Sequence, residues 1–310
     1  MDESVFKAYD VRGRYPDQLD EATARAVGSA FAQFSEAPRV VLARDMRLSG
    51  PALAGAFAEG VRATGVEVLD LGLASTDLLY FASGHLDAPG AMFTASHNPP
   101  ADNGVKLCLA GARPVGAETG LARVRESARG FAESPASGDA PLVPVDLWVE
   151  WVTHVHSFID LVELRELKVV ADVANGMGAL TVPRVFEGLP PALDLLFGEL
   201  DGSFPNHPAD PINPANLVDL QKRVLDTGAD VGLAFDGDAD RVFIVDERAQ
   251  PVSGSVTTAM VAAAMLERHP GATILYNLIC SRAVPEVVAE RGGVAVRTRV
   301  GHSYIKHLMA

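Results

Sequence analysis

The stretch PRVVLARDMRLSGPALAGAFAEGVRATGVEVLDLGLAS, residues 38–75, sets a pattern that the rest of the chain follows. Two short runs rich in Val, Leu and Ala enclose a segment, 50–64, with the spacing of an amphipathic helix. A strand, a helix and a second strand in this order form the βαβ unit of a largely parallel sheet. The run APGAMFTAS at residues 88–96 adds another buried strand. The sequence therefore predicts an α/β fold.

The same alternation predicts elements along the whole chain. Helices are expected at residues 19–34, 50–64, 118–131, 146–159, 217–227, 255–268 and 284–290, with Asp20 and Ser49 as the N-caps of the first two. Strands are expected at residues 167–175, 192–200, 230–235, 241–246, 272–278 and 294–300. The proline-rich loop GSFPNHPADPINPANL, residues 202–217, is too long to be a simple connection.

Composition limits the possible functions. The 310 residues are 48% hydrophobic, which favours a globular chain, and the net charge of −14 argues against nucleic acid or an anionic membrane as the main partner. The acidic amino terminus is unlike a secretory signal, and no run of about 18 apolar residues is present. A cytoplasmic enzyme is expected. Cys108 and Cys280 are far apart and lie in apolar runs, so free thiols are expected.

The segment TASHNP, residues 94–99, indicates a nucleophile. Ser96 follows an apolar strand and precedes the turn formed by Asn98 and Pro99, so its hydroxyl is expected at the carboxyl end of a strand. Ligands bind at these ends in open α/β sheets. Taken alone, a serine bonded to its own turn is the simpler alternative.

The segment DGDADR, residues 236–241, indicates a metal site. Asp236, Asp238 and Asp240 lie between two apolar runs, and burying three carboxylates together is costly without a cation. Oxygen ligands point to Mg²⁺ or another hard ion. A calcium loop of the EF-hand type is a rival, since Glu247 holds the twelfth position; Arg241 at the sixth position and the strand-like flanks oppose it. A solvated acidic turn is the other alternative.

In this order, the two segments resemble the phosphoserine and magnesium loops of the α-D-phosphohexomutase superfamily, within it the bacterial phosphomannomutase/phosphoglucomutase group. The resemblance implies consecutive α/β domains with mixed, mostly parallel sheets. It also implies that Ser96 carries a phosphoryl group and completes the coordination of Mg²⁺, while Arg241 contacts the same phosphate. The implied reaction interconverts hexose 1-phosphate and 6-phosphate of mannose or glucose, through a bisphosphate intermediate.

Further site residues follow from this resemblance. The expected acid/base is Lys106, which alternates with apolar neighbours in DNGVKLC and whose pKa should be lowered by burial or nearby cations. The other expected contacts with phosphate or sugar are His97, Arg12, Arg44, Asn98 and His302. Taken alone, Arg12 could equally be a surface arginine in a glycine-bounded loop, His97 a neutral turn histidine, and Lys106 a solvated edge lysine. Arg44 could simply pair with Asp45, and His302 could be a helix N-terminal histidine.

The predicted domains are residues 1–144 with the phosphoserine loop, 145–250 with the metal loop, and a partial third domain at 251–310. A linker is expected at 133–144. The fourth domain of the family and its Arg/Ser/Gly/Thr loop are absent from the sequence, as is the Glu-x-Ser-Gly-His loop of the third. We therefore expect a chain truncated at its carboxyl end, with impaired turnover.

The substrate is less sharply defined by the sequence. The proline-rich loop favours the mannose/glucose group, and residues 7–10, KAYD, differ from the Gly-Thr-Asp-Gly variant typical of glucosamine-type mutases. The sequence leaves open the preferred hexose and the oligomeric state. A sugar phosphatase acting through phosphoserine and a non-catalytic protein that binds metal or sugar phosphate also remain open.

Overall fold

The computed structural model describes residues 1–131 and 140–309, with only the backbone of residues 302–304 and 307. The helices are α1 (Glu21–Ser35), α2 (Gly50–Arg62), α3 (Thr76–His85), α4 (Ala122–Arg129), α5 (Trp148–His156), α6 (Gly178–Phe186), α7 (Val218–Thr227), α8 (Gly254–Arg268), α9 (Ala283–Glu290) and α10 (His302–Met309). The strands are β1 (Val11–Arg14), β2 (Arg39–Arg44), β3 (Glu67–Leu73), β4 (Gly90–Phe93), β5 (Asp102–Leu109), β6 (Arg113–Pro114), β7 (Leu142–Pro144), β8 (Lys168–Asp172), β9 (Ala192–Leu196), β10 (Val231–Phe235), β11 (Val242–Asp246), β12 (Pro251–Val252), β13 (Thr273–Asn277) and β14 (Val294–Thr298).

The first sheet has seven strands in the order β1-β5-β4-β2-β3-β7, and β6 also pairs with β5. Strands β4, β2, β3 and β7 are parallel, whereas β5 is antiparallel to both β4 and β1. Arg44 and Phe93, the last residues of β2 and β4, are paired in register. The loops that follow these two parallel strands therefore begin side by side, at one edge of the sheet.

Helices cover both faces of this sheet. On one face, α1, α2 and α4 bury a core that includes Phe31, Phe57 and Phe93. On the other face, α3 and α5 pack against the sheet through residues such as Leu78 and Trp151. Helix α5 follows β7 in the chain yet still contributes its buried tryptophan to the core of the first sheet.

The two predicted N-caps have different outcomes. Asp20 accepts from the main-chain N–H of Thr23 at 2.8 Å, so the predicted cap of α1 is confirmed. The prediction for Ser49 is wrong, because its side chain makes no cap hydrogen bond. Its Oγ instead accepts from Nδ2 of Asn103 at 2.8 Å. A tertiary partner 54 residues away has replaced the local one.

The second sheet has the order β12-β11-β10-β8-β9. Strands β9, β8 and β10 are parallel, and β10 and β11 form an antiparallel pair. Residues 236–241 join that pair, so the acidic segment lies between two strands as predicted. Strand β12, residues 251–252, pairs with β11 at the edge of this sheet. Farther along the chain, β13 and β14 form a separate parallel pair.

Several predicted boundaries need correction. Residues 132–139 lie outside the described residues, but residues 142–144, predicted as linker, form β7 and pair with β3. The helix predicted at 118–131 is interrupted at Gly120, where φ is 135°, and α4 begins only at Ala122. Helices α3 and α6 were not predicted. The mixed sheets with helices on their faces confirm the α/β class.

Two expectations from composition can be compared with the described residues. Cys108 and Cys280 are both free, the first buried and the second half-buried. Among the described helices, none has the length and apolar character that crossing a membrane requires.

Candidate active site

The serine loop, residues 94–101, follows β4 and holds Ser96 in an unusual backbone conformation. Ser96 has a φ of 54°, in the left-handed region that residues with a Cβ seldom adopt. Its N–H donates to Oγ1 of Thr94 at 2.9 Å, and the residue is only 4% exposed. Strain of this kind is concentrated at functional sites, where the surrounding structure maintains it.

The acidic loop, residues 236–241, meets the serine loop directly. Oγ of Ser96 donates to Oδ2 of Asp236 at 2.7 Å, although the two residues are 140 positions apart. The backbones also approach closely, because a Cβ built on Gly237 would lie 2.4 Å from the carbonyl oxygen of Ser96. Glycine permits this approach because it has no side chain. The structure thus joins the two segments that the sequence singled out.

Arg241, the last residue of the acidic loop, covers the serine hydroxyl. It donates to Oδ2 of Asp236 from Nε at 2.8 Å and from Nη2 at 2.6 Å, and Nη2 also donates to Oγ of Ser96. Nδ1 of His97 lies 2.5 Å from the same Nη2 and 3.3 Å from Oγ of Ser96. Because a guanidinium can only donate, Nδ1 of His97 accepts and the ring proton is on Nε2. Burial and the charge of Arg241 lower the pKa of His97, which keeps the ring neutral.

Lys106 and Thr76 hold the acidic loop from the side of the first sheet. Nζ of Lys106, on β5, donates to Oδ2 of Asp238 at 2.6 Å and to Oδ2 of Asp240 at 2.8 Å. Oγ1 of Thr76, the first residue of α3, donates to the same oxygen of Asp238 at 2.5 Å. Neither Thr76 nor α3 was predicted from the sequence. The available signal was Ser75 before Thr76, an N-cap residue whose side chain accepts from the first turn.

Burial and neighbouring charges shift the pKa values of Asp236, Asp238 and Lys106. Burial raises the pKa of Asp236 to about 7, and the charges of Asp238 and Asp240 add to the shift. Burial also acts to raise the pKa of Asp238, but Lys106 outweighs it and holds that pKa well below its usual range. Burial acts to lower the pKa of Lys106, whereas Asp238 and Asp240 raise it strongly. The expectation of a lowered pKa for this lysine is wrong here, because carboxylates rather than cations surround the amine.

The acidic loop also has the properties of a cation site. Asp236, Asp238 and Asp240 each offer an oxygen within 4.8 Å of the other two. Oδ1 of Asp238 is buried and has no hydrogen-bond partner among the described residues. A buried carboxylate oxygen without a partner is costly unless a cation or water meets it. The three aspartates can therefore hold a metal ion.

Arg12 and Asn98 lie on another side of the serine loop. Arg12 is in β1 rather than in a surface loop, and its Nη1 donates to Oδ1 of Asn98 at 3.0 Å. Its Nη2 donates to Oδ2 of Asp10 at 2.6 Å. Asn98 in turn donates to Oδ2 of Asp102 at 2.9 Å. These bonds attach Arg12 to the serine loop through the side chain of Asn98.

Two other predicted contacts are not seen at the site. Within the residues that the structure describes, Arg44 makes no hydrogen bond to the serine loop or to the acidic loop. Arg47, which was not predicted, donates instead to three main-chain oxygens of the serine loop and to the main-chain oxygen of Asp102, just after it. The only signal for it was a second arginine in the segment after β2. The side chain of His302 lies outside the described residues, so its contact with a sugar stays a prediction.

A cavity of about 580 Å³ opens next to the serine loop. It is lined by residues of that loop, such as His97 and Pro100, and by residues of the proline-rich loop, such as Phe204 and Asp210. The serine loop, which follows a strand of the first sheet, and the proline-rich loop, which follows a strand of the second sheet, therefore enclose a space beside Ser96.

His207 attaches the proline-rich loop to the second sheet. Its Nε2 lies 3.0 Å from Oδ2 of Asp172, the last residue of β8, and its Nδ1 lies 2.9 Å from the carbonyl oxygen of Pro208. Because both ring nitrogens face oxygen acceptors, both are donors and the ring is charged. Burial acts to lower the pKa of His207, but the hydrogen bond and the charge of Asp172 outweigh it and raise that pKa.

Comparisons with known proteins agree with this organisation. Residues 3–129, 148–250 and 253–310 match alpha/beta/alpha domains I, II and III of phosphoglucomutase/phosphomannomutase. A phosphohexose mutase of Xanthomonas campestris pv. campestris is 38% identical over 308 residues, which cover 98% of this chain and 68% of that protein. A phosphomannomutase of Salmonella typhimurium is 36% identical over 321 residues, covering 99% of this chain and 69% of that protein. The crystal structure of a phosphoglucomutase/phosphomannomutase family protein from Burkholderia thailandensis has a TM-score of 0.88 and 36% identity, covering 99% of this chain and 68% of that one.

Fold and geometry define an α/β protein in which a strained serine meets an acidic loop that can hold a cation. Three successive domain matches account for most of the chain. The chain belongs to the phosphoglucomutase/phosphomannomutase family, and the resemblance to the α-D-phosphohexomutase superfamily is confirmed. It spans about two thirds (68%) of the length of the Xanthomonas relative.

Proposed function

We propose that the protein is an isomerase that interconverts hexose 1-phosphates and hexose 6-phosphates of the mannose and glucose type. The observation that carries this proposal is the 2.7 Å contact between Oγ of Ser96 and Oδ2 of Asp236, with Arg241 bonded to both. A fixed hydroxyl beside a cation site and a guanidinium is arranged for phosphoryl transfer through a covalent carrier. The relatives named phosphohexose mutase and phosphomannomutase support the substrate class.

Each residue near Ser96 has a distinct proposed role. Ser96 carries the phosphoryl group, gives it to a hydroxyl of the hexose phosphate, and receives phosphate from the other end of the resulting bisphosphate. Arg241 and the N–H of neutral His97 donate to the phosphoryl oxygens. Lys106 exchanges a proton with the sugar oxygen as the acid and base of the two half-reactions. Its ammonium form is ready to act as the acid.

We propose Mg²⁺ as the ion of the acidic loop. Asp236, Asp238 and Asp240 would hold it, with an oxygen of phosphorylated Ser96 completing the coordination. Oxygen donors of this kind suit magnesium better than zinc. When bound, the ion neutralises charge on the transferring phosphoryl group.

The remaining predicted contacts complete the proposed site. Arg12, Asn98, Arg44 and His302 are assigned to the phosphate and sugar, which would enter between the serine loop and the proline-rich loop. We also propose domains at 1–144 and 145–250 and a partial third domain at 251–310, a division supported by three separate sheets. A cytoplasmic location and hexose phosphate as partner are also proposals. The net charge of −14 supports the further proposal that nucleic acid is not a partner.

Label transfer from a radioactive hexose bisphosphate tests this function. We expect Ser96 to become labelled in the presence of Mg²⁺, and the label to pass to added mannose 1-phosphate or glucose 1-phosphate. Peptide mapping should place the label on Ser96 and leave exposed serines such as Ser127 unlabelled. Steady release of inorganic phosphate would identify a phosphatase. Binding of Mg²⁺ without any labelling would identify a non-catalytic binding protein.

A further inference from the structure

Arg47 is the largest side chain in the described chain that is completely buried, with 0% exposure. A guanidinium cannot lose its proton in a protein, so its burial requires hydrogen bonds and a counter-charge. Asp45 supplies the charge, with Oδ2 at 3.3 Å from Nε. The N–H of Nε makes no hydrogen bond among the described residues, and the four N–H groups of Nη1 and Nη2 still need acceptors.

Those acceptors all belong to one segment, residues 96–102. Nη1 donates to the carbonyl oxygens of Pro99 and Asp102 at 2.7 and 2.8 Å. Nη2 donates to the carbonyl oxygens of Ser96 and Asn98 at 2.9 and 2.7 Å. One planar group thus bonds four carbonyls of a seven-residue segment and fixes their positions relative to one another.

We infer that Arg47 is a positioning residue that holds Ser96 in its reactive conformation. Ser96 has a φ of 54°, which a residue with a Cβ does not retain without support from its surroundings. Oγ1 of Thr94 holds the N–H of Ser96, and Arg47 holds its carbonyl oxygen. These two bonds restrain the residue on both sides of its Cα, and with it the direction of Oγ toward Asp236.

Contacts from the proline-rich loop exclude water from the hydrogen bonds of Arg47. The ring of Phe204, on the proline-rich loop, lies over the guanidinium at 5.3 Å from its centroid. Gly202 approaches so closely that a Cβ there would lie 2.8 Å from Cα of Arg47. Hydrogen bonds shielded from water in this way are stronger than exposed ones. Arg47 therefore connects the serine loop with the proline-rich loop that encloses the same cavity.

Lysine is not an adequate substitute for this arginine. An ammonium has three donors on a single point, whereas the guanidinium presents paired donors in a rigid plane. Arg47→Lys keeps the charge opposite Asp45 but cannot bond all four carbonyls. Arg47→Ala removes both the charge and the donors and leaves space for a small cation.

The test compares both variants with the wild-type chain in three measurements. Hydrogen–deuterium exchange should show faster exchange of amides in residues 96–102 in both variants, with little change in α8 and α9. Titration calorimetry should show Mg²⁺ affinity within about threefold of wild type, because Arg47 does not touch the three aspartates. The rate of Ser96 labelling by hexose bisphosphate should fall about 100-fold, the scale of a 1 Å displacement, with a smaller change in the half-saturating concentration. Guanidinium ion should partly restore the rate in Arg47→Ala alone.

Two controls separate positioning from general destabilisation. Arg39→Lys changes an arginine of β2, which donates to the carbonyl oxygen of Leu86 at 2.9 Å, and should leave labelling unchanged. Leu53→Ala destabilises the core under α2 without touching the serine loop and should not accelerate exchange in residues 96–102 selectively. If Arg47→Lys labelled Ser96 at the wild-type rate with unchanged exchange, the inference would be overturned.

The inference rests on the proposed function only for the labelling measurement. If wild-type Ser96 is never labelled, the proposed function fails, while the exchange measurement still decides whether Arg47 holds the loop. If wild-type Ser96 is labelled and the variants exchange normally, Arg47 is not a positioning residue. If the exchange accelerates but labelling does not change, the loop conformation does not control reactivity and the inference is also wrong.

Discussion

Oγ of Ser96 and Oδ2 of Asp236 lie 2.7 Å apart although they belong to loops from different sheets. Neither loop could present this pair alone, because the serine follows β4 and the carboxylate follows β10. The contact depends on how closely the two loops approach, and Gly237 sets that distance. Changes that separate the loops should therefore affect chemistry more than folding.

Gly237→Ala tests this dependence. The added Cβ would lie 2.4 Å from the carbonyl oxygen of Ser96, where backbone must move to relieve the clash. We expect the rate of Ser96 labelling to fall about 100-fold, as for a displacement of about 1 Å, while circular dichroism stays unchanged. Gly55→Ala is the matched control, because nothing lies within 4 Å of its Cβ and a helical alanine should stabilise α2 by about 0.8 kcal/mol. A fully active Gly237→Ala chain would show that the close approach is dispensable.

Asp238→Asn should weaken both metal binding and the metal-free fold. Oδ2 of Asp238 accepts from Lys106 and Thr76, so removing its charge leaves a buried ammonium with only Asp240. We expect the free energy of unfolding in EDTA to fall by about 3 kcal/mol, the scale for breaking a buried ion pair. Calorimetric titration should show at least tenfold weaker Mg²⁺ binding. Asp194→Asn, which breaks the more exposed pair with Arg223, should cost less than about 1 kcal/mol and leave Mg²⁺ affinity unchanged.

Asp236 in its ionised form should destabilise the metal-free fold, whereas ionised Asp238 stabilises it. Its pKa is raised from 3.8 to about 7, so the folded chain favours the protonated carboxyl. The stability from this group is complete below pH 3.8 and is lost as the pH rises through about 7. In EDTA, the free energy of unfolding should therefore fall as the pH rises from about 4 to about 7, and it should level off above about pH 7. Asp236→Asn should flatten that fall in urea denaturation, and an unchanged slope would contradict the assignment.

Magnesium gives a second measurement of the same effect. A cation at the acidic loop stabilises the ionised carboxylates, so the gain in the unfolding midpoint on adding Mg²⁺ should be larger at about pH 8 than at about pH 6. An equal gain at both pH values would place the bound ion away from Asp236.

The sequence predicted best what depends on neighbours in the chain. The alternation of apolar runs predicted most of the helices and strands, and Asp20 caps α1 because its partner, Thr23, is three residues away. Ser49 satisfies the same local rule, yet its hydroxyl binds Asn103 across the fold. The local sequence therefore predicts a helix cap correctly only when no distant residue competes for the hydrogen bond of the capping side chain.

The arrangement of the site depended on contacts that a single sequence does not reveal. The two loops could be identified by their residues, but the sequence did not indicate that Arg47 rather than Arg44 reaches the serine loop. Arg44 is the last residue of β2 and Arg47 lies three residues later, so the turn between them decides which one is buried. Lys106 was identified from its place on a strand. Its pKa was misjudged because the surrounding carboxylates come from the acidic loop, 132 and 134 residues later.

His207→Gln should loosen the proline-rich loop in a manner that depends on pH. The charged ring donates to Asp172, a carboxylate that is only 1% exposed, and this contact raises the pKa of His207. The stability it contributes is therefore complete below the ordinary pKa of 6.5 and is lost as the pH rises through the raised value. We expect the variant to lose about 1–3 kcal/mol at about pH 6, the scale for leaving a buried acceptor unpaired, and clearly less at about pH 9. Urea denaturation at the two pH values measures the difference.

His156→Gln is the control, since that ring contacts the carbonyl oxygen of Val185 rather than a carboxylate. An equal loss at both pH values for His207→Gln would mean that the imidazole holds the loop by packing against Phe197 and not by its charge.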